Sequence, residues 1–412
     1  MATTSVVRAD SYKGGYRDRF WIPRFWDGIN VTGWLRLLAR NRFRITPSRI
    51  PMALVITLLT LLNSALGLIQ ALVFGRRIAK TRIEQDPIFI IGHWRSGTTL
   101  LHELLVLDPR HTFPNTYACF APNHYLLTRR TFPTIFSFLL PDRRPMDNMP
   151  AGWDRPQEDE FALCAMGVPS PYFATMAFPK GQTEDDAYLT LETLSPRPLA
   201  RWKESFVWFL KCVTLVDPKR IVLKSPPHTG RIRVLLELFP KARFVHIVRD
   251  PYVLFASTVN LWRRLYQDQR LQGRDYDGLE ERVFRTFDRM YAAFERDRSL
   301  IPASQLSEVR YEDLVRDPIG QMRRLYDELA LGGFEEARPA MEKFLQSQSG
   351  YKKNRYEISP ETRAQIARRW NRFFVQYDYA IGAGRDVALG AGQDAAAEPG
   401  RDTAITASQD AA

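Results

Sequence analysis

From Ile83 onward the chain alternates between short, unbroken apolar runs and longer stretches whose apolar positions recur at helical spacing. The segments "PIFIIG" (87–92), "RIVLKSP" (220–226) and "ARFVHIV" (242–248) are short and continuously apolar, which predicts buried strands. Each leads into a helical pattern: 98–107, striped by Leu100, Leu101, Leu104 and Leu105, then 230–239 and 251–266. "SEVRYEDL" (307–314) predicts a fourth strand running into a turn. Apolar strands between amphipathic helices predict an α/β fold of three layers, with a central, mainly parallel sheet covered on both faces. Residues 110–215, rich in proline and aromatics, predict an irregular helical insertion, the natural place for a wall that selects substrate.

The pattern ahead of Ile83 is different. Residues 31–49 are basic and amphipathic, whereas residues 50–75 carry no charge and are long enough to span a bilayer. Asn63, Ser64 and Gln70 dilute that stretch. Arg42, Arg44 and Arg49 flank it on one side and Arg76, Arg77 and Lys80 on the other, so the positive-inside rule sets no orientation. Three readings stand: a helix in or on a membrane surface, a true span, and a long buried or oligomer-forming helix. A basic helix beside an apolar one suits surface attachment. At the other end, residues 382–412 cannot bury enough apolar surface to order. The division expected is an N-terminal arm with its hydrophobic helical segment (1–84), an α/β domain (85–380) and a disordered tail (381–412).

Composition narrows the partners. A net charge of +12 with a pI near 9.7 asks for an anionic partner: nucleotide, phospholipid surface or nucleic acid. The arginines are scattered rather than blocked, which argues against nucleic acid. Cys119, Cys164 and Cys212 are odd in number and far apart, without metal-ligand spacing, so neither a zinc site nor a disulfide framework is expected. A reducing compartment fits. The first 20 residues are polar and charged and do not read as a cleavable signal peptide, which leaves the cytoplasm or the cytoplasmic face of a membrane.

The chemistry begins at Gly92. "GHWRSGTT" (92–99) follows the G-x-x-x-x-G-K-[ST] frame of a P-loop except at Thr98, which stands where the lysine of a nucleotide-triphosphate loop belongs. A strand, a glycine-bearing turn and a helix N-terminus make an anion site from backbone N–H groups. Arg95 adds a guanidinium suited to bidentate phosphate contact, and Ser96, Thr98 and Thr99 add hydroxyl donors around Gly97. Loss of the lysine argues against cleavage at a γ-phosphate, and Asp250-Pro251 reads as a helix N-cap rather than a metal ligand. Two further strands each end in a cation, Lys224 and Arg249, at the sheet edge where open α/β sheets bind ligands. Ser257, two helical turns past Asp250, shares the face that can meet an anion beside Arg249. Two anion sites on one nucleotide imply phosphate at both its 5′ and 3′ ends.

These residues resemble the sulfotransferases that use 3′-phosphoadenosine-5′-phosphosulfate (PAPS), most closely the bacterial branch related to protein-tyrosine sulfotransferases. Three motifs carry the resemblance across roughly 85–375: Arg95 to Thr99, Arg249-Asp250-Pro251 with Ser257, and Val309-Arg310-Tyr311-Glu312-Asp313-Leu314. The resemblance implies that Ser96, Gly97, Thr98 and Thr99 cradle the 5′-phosphate and that Arg249 and Ser257 hold the 3′-phosphate. It places Tyr311 beside the nucleotide. Arg95 and Lys224 would contact the transferred sulfuryl group or its bridging oxygen. Lys353 and Asn354, in the basic run "SGYKKNRYEIS", would close over the nucleotide, unless that run is simply a solvated loop. The bond cut would be S–O, the leaving group a bisphosphate, and no metal would be needed.

The general base is where the chain departs from its relatives. Tyrosine-sulfating enzymes carry a glutamate about twenty residues after the loop arginine, whereas this chain has Asn115-Thr116-Tyr117 in that neighbourhood. Cytosolic relatives use a histidine two residues after the strand-end lysine; here that position is Pro226. The remaining order is Glu158 or Glu160, of which helical spacing lets at most one face a site, then His228, then His102. The acceptor expected is a hydroxyl or amine, on a lipid or carbohydrate. The alternatives are a P-loop small-molecule kinase using ATP and a catalytically dead nucleotide-binding or membrane scaffold.

Overall fold

The strand that feeds the glycine loop sits in the middle of the sheet, and its neighbours arrive from far along the chain. The computed structural model describes residues 7–9, 24–140, 151–178, 183–273, 277–348 and 356–381. Its strands are β1 (Val7–Ala9), β2 (Ile88–Ile91), β3 (His111–Thr112), β4 (Arg220–Lys224), β5 (Arg243–Val248), β6 (Leu306–Arg310) and β7 (Tyr356–Ile358). Five of them form a parallel sheet in the order β3-β4-β2-β5-β6, while β1 and β7 pair antiparallel on their own.

Every residue of β2 is fully buried, because both faces of the sheet are covered. Ile88 and Ile90 join Val222, Val245 and Ile247 in a cluster with Leu101, Leu104 and Tyr326. Phe89 and Ile91 join Ile221, Leu223 and Phe244 on the opposite side, packed with Trp202, Phe206 and Phe209. The three-layer α/β arrangement expected from the sequence is therefore the one observed.

Details differ where local pattern is weak. β3 is only two residues long, so no apolar run marks it, yet it adds a fifth strand beside β4. The insertion is irregular over most of its length but ends in a regular helix, Pro196–Val216, whose Trp202, Phe206 and Phe209 cover the sheet. The helix after β5 runs three residues beyond Tyr266, as Pro251–Gln269, and Asp250 caps it by accepting from the N–H groups of Tyr252 (2.8 Å) and Val253 (3.2 Å).

The N-terminal segment is built into the body. Asn30 caps the helix Val31–Arg40, and the next helix, Ile50–Lys80, runs for 31 residues. Trp26, Ile29, Trp34 and Ile56 are wholly buried in the same apolar cluster as Phe89 and Trp202. A Cβ added at Gly33 would lie 2.5 Å from Gly167 Cα, so the first helix rests directly on the chain that follows Asp159–Ala165. Lys353, Asn354 and residues 382–412 lie outside the described residues.

Candidate active site

The parallel register places the carboxyl ends of three central strands together. Ile90 of β2 is level with Lys224 of β4, and Ile91 with His246 of β5, so Lys224, the glycine loop and Arg249 all emerge at one sheet edge. Glycine is required at both ends of the loop. At Gly92 (φ +144°) a Cβ would lie 2.4 Å from Ile247 O, and at Gly97 (φ +107°) it would meet the Tyr311 ring at 2.3 Å. Inside the loop, His93 O accepts from Ser96 N (3.1 Å) and Ser96 Oγ (2.7 Å). The Ser96 hydroxyl is thus spent on shaping the turn. Arg95 takes φ +70°, a left-handed conformation uncommon outside glycine and frequent at functional sites. The helix Thr98–Leu105 begins at once, with its first N–H groups directed at the loop side.

Arg95 and Arg249 meet although 154 residues separate them. Arg249 Nη1 donates to Arg95 O at 3.0 Å, and its guanidinium lies 4.2 Å above the centre of the Tyr311 ring. Arg95 Nε donates to Ser257 Oγ at 2.9 Å, and Ser257 Oγ is 3.3 Å from the Tyr356 hydroxyl. Arg95, Gly97, Arg249, Ser257 and Tyr311 therefore make one cluster, within reach of a single mononucleotide. If Arg249 holds a donor phosphate, as the resemblance implies, Arg249→Ala is expected to raise the donor KM by about 10- to 100-fold while kcat changes only a few-fold, because charged hydrogen bonds to a phosphate act before and during transfer alike. Steady-state kinetics at varied donor concentration checks this.

Three consecutive acids beside this cluster have three different fates. Glu158 receives Lys224 Nζ at 2.7 Å, with the lysine side chain 2% exposed and the carboxylate 13% exposed. Its other oxygen accepts from the Tyr172 hydroxyl, which in turn accepts from Trp94 Nε1 at 3.2 Å. Burial and the nearby Glu158 and Glu160 carboxylates push the Tyr172 hydroxyl well up, so it stays protonated and donates. Asp159 holds His228 Nε2 at 2.7 Å and Ser225 Oγ at 3.0 Å. Burial pushes the Asp159 carboxyl up, but its His228 and Ser225 partners more than offset that and leave it below the usual range. Glu160 takes a bidentate contact from Arg231 (2.6 and 3.1 Å) and a hydrogen bond from Ser170 Oγ (2.5 Å).

This geometry separates the four general-base candidates. Glu160 and Arg231 are sealed from solvent, and both Glu160 oxygens already accept hydrogen bonds. His228 is fully buried between Phe89 and Phe206, with the Asp159 pair on its only bonded nitrogen. His102 is 1% exposed, and burial together with the nearby Lys224 ammonium drives its pKa down to about 3. Glu158 is the one acid of the set that is both partly open and joined to the strand-end lysine. The sequence had no way to rank these: the Lys224–Glu158, His228–Asp159 and Arg231–Glu160 pairs each span 66 to 71 residues. Tyr172 and Trp94 were not singled out at all. Trp94 could have been, because it stands inside the loop motif.

Next to this site opens a cleft walled by Trp94, Tyr172 and Trp262 and by Arg282, Arg285 and Arg289. Trp94 and Tyr172 are the same residues that bond each other behind Glu158.

A glycine loop without a lysine, two arginines in one cluster and a lysine–carboxylate pair, all at one sheet edge, are the equipment of a group-transfer enzyme. The chain belongs to the sulfotransferase family, which it matches over residues 87–336. It is 46% identical over 374 residues to the omega-hydroxy-beta-dihydromenaquinone-9 sulfotransferases Stf3 of Mycobacterium bovis and Mycobacterium tuberculosis, covering 91% of this chain and 95% of each relative. Its fold is that of the solved sulfotransferases STF9 from Mycobacterium avium (TM-score 0.65, 20% identity) and STF1 from Mycobacterium tuberculosis (TM-score 0.60, 19% identity). Those alignments cover 86% of this chain and 93% and 94% of the two structures. The protein is a sulfotransferase, and the kinase alternative is set aside.

Proposed function

We propose that the protein transfers the sulfuryl group of PAPS to the terminal hydroxyl of a hydroxylated isoprenoid quinone or quinol lipid, at the cytoplasmic surface of a membrane. The observation that carries the donor assignment is the Arg249–Arg95 contact, which ties the two anion sites into one nucleotide-sized cluster. The acceptor class rests on the 46% identity, nearly end to end, with relatives whose names specify an omega-hydroxylated menaquinone. Trp94 and Tyr172, which stand behind Glu158, also line the neighbouring cleft and give it an aromatic wall that suits part of an isoprenoid chain.

In this mechanism Ser96 to Thr99 bind the 5′-phosphate largely through backbone N–H groups, and Arg249 with Ser257 binds the 3′-phosphate under the Tyr311 ring. Glu158 takes the proton of the acceptor hydroxyl, whose oxygen then forms the new S–O bond as the old S–O bond to the 5′-phosphate breaks. Lys224 and Arg95 offset charge gathering on the bridging oxygen and the sulfuryl oxygens, and the bond electrons leave with the 3′,5′-bisphosphate. Tyr172 fixes the Glu158 carboxylate on one side while Lys224 fixes it on the other. The transfer resembles loose phosphoryl transfer, so positioning and charge do most of the catalysis.

The test is transfer of label from ³⁵S-PAPS to an omega-hydroxylated menaquinone in the presence of EDTA. Labelled sulfolipid is expected, and Glu158→Gln is expected to lower its rate by about 10²- to 10⁴-fold with the donor still bound. Transfer that depends on Mg-ATP, or a Glu158→Gln enzyme of near-normal rate, would refute the assignment.

A further inference from the structure

The long helix Ile50–Lys80 is inside-out. A helix on the surface of a water-soluble body normally turns its apolar stripe inward and its polar side chains outward. Here the inward seam carries the polar residues. Thr57 Oγ1 accepts from Trp34 Nε1 at 2.9 Å, and Ser64 Oγ accepts from Val31 N at 2.9 Å. Asn63 Nδ2 donates to Asp27 O (2.7 Å) and Ile29 O (3.1 Å), while its oxygen lies 3.2 Å from His124 Nε2. Gln70 donates to Pro122 O at 3.3 Å and accepts from Leu126 N at 2.7 Å. Thr60, Asn63 and Gln70 are buried, whereas Leu58 is 67% exposed, Leu68 69% and Leu72 86%.

The residues that seemed to weaken an apolar span are thus the ones that fasten the helix to the protein. Everything left facing outward is hydrocarbon over most of its length. The inward bonds run from Thr57 to Gln70, the middle of the helix, and their partners include backbone groups and His124 of the body. A transmembrane pose would carry those polar partners to bilayer mid-depth, where they are costly. Lying in the plane of the interface, the same helix keeps them on the water side.

Charge identifies what covers the exposed face. Residues 28–83 contain nine arginines and lysines and no acid, and Arg42, Arg44, Arg49, Arg76, Arg77 and Lys80 bracket the apolar stretch. A two-fold pairing with a second copy would put these all-basic surfaces together and repel. An anionic lipid surface complements both the apolar face and its basic ends.

We infer that the protein is monotopic: the exposed face of Ile50–Lys80, from Leu54 to Val73, lies in the headgroup region of an anionic bilayer, with the basic clusters at its two ends on lipid phosphates. This deepens the surface location proposed above. It also places the lipid close to the chemistry, because the N-terminal helices rest on the segment that follows Asp159–Ala165, whose N-cap is Glu158.

The test is flotation of the full chain with vesicles of phosphatidylcholine alone or mixed equally with phosphatidylglycerol, beside the variant Leu58→Gln/Leu61→Gln/Leu72→Gln. All three positions are exposed, so the variant should melt like the parent. Binding to the mixed vesicles is expected to exceed binding to phosphatidylcholine by about tenfold or more, to weaken with salt, and to fall about tenfold or more in the variant. Equal binding by variant and parent, or a parent that ignores vesicles and sediments as a dimer which the variant breaks, would overturn the inference. Turnover of a short, water-soluble alcohol is measured alongside and is expected to be the same in both proteins. Its absence from the parent would count against the catalytic assignment and leave the vesicle result untouched.

Discussion

Lys224→Ala is expected to lower kcat by about two to three orders of magnitude while the donor KM moves only a few-fold. The lysine ends β4 level with Ile90, one residue short of the loop strand's last position, and its side chain is 2% exposed. Sealed from water, its ammonium acts at low effective dielectric, where a charge aimed at a developing anion is worth on the order of 3 kcal/mol. In the proposed mechanism the bridging oxygen gains negative charge only as the S–O bond breaks, so a Lys224 contact to it strengthens in the transition state and appears in kcat. The substitution also removes the cation opposite Glu158. Lys224→Arg separates the two effects: it keeps a charge near Glu158 but presents a planar fork in place of a compact ammonium, and it should recover only part of the rate. Equal losses in kcat and KM for Lys224→Ala would remove it from the transition state.

Glu160→Ala is expected to destabilise the fold by about 3–5 kcal/mol and lower the melting temperature by several degrees or more, with activity per folded molecule little changed. It leaves the Arg231 guanidinium, 0% exposed, without its carboxylate and, among the described residues, with Tyr188 O and the face of Trp202 as its remaining partners. Removing one partner of a buried pair strands the other charge, whereas removing both can be close to neutral. The double variant Glu160→Met/Arg231→Met should therefore melt closer to the parent than either single one, and the thermodynamic cycle measures the coupling. Glu158→Gln, two residues earlier, keeps an amide oxygen that can accept from Lys224 at a more open site. It should show the reverse weighting: a smaller loss of melting temperature and a lost reaction. Two glutamates separated by one residue would then differ in function purely through what stands opposite them.

That contrast marks the limit of what could be read along the chain. The strands, the helix starts and the loop were legible because their causes are local: β2 is apolar at every position since both sheet faces are covered, and the loop needs glycines where a Cβ would strike Ile247 O or the Tyr311 ring. The residues proposed to bind anions were legible too, since Arg95, Lys224, Arg249 and Ser257 each sit at a fixed offset from a strand end or a helix start. Glu158, Asp159 and Glu160 could not be told apart, because a helix's first turn favours acids whatever they later meet.

By itself, then, the sequence determined a three-layer α/β body, a glycine loop with threonine where a P-loop lysine stands, cations at the sheet's carboxyl edge, and an apolar helix of membrane length. Only the tertiary structure decided which acid faces Lys224, that His228 and His102 are sealed away, and that Asn63 and Gln70 turn inward. The reason is range. Periodicity and turn chemistry act over a few residues, whereas the partners that give a buried charge or amide its direction lie 33 to 162 residues away and meet it only when the layers close.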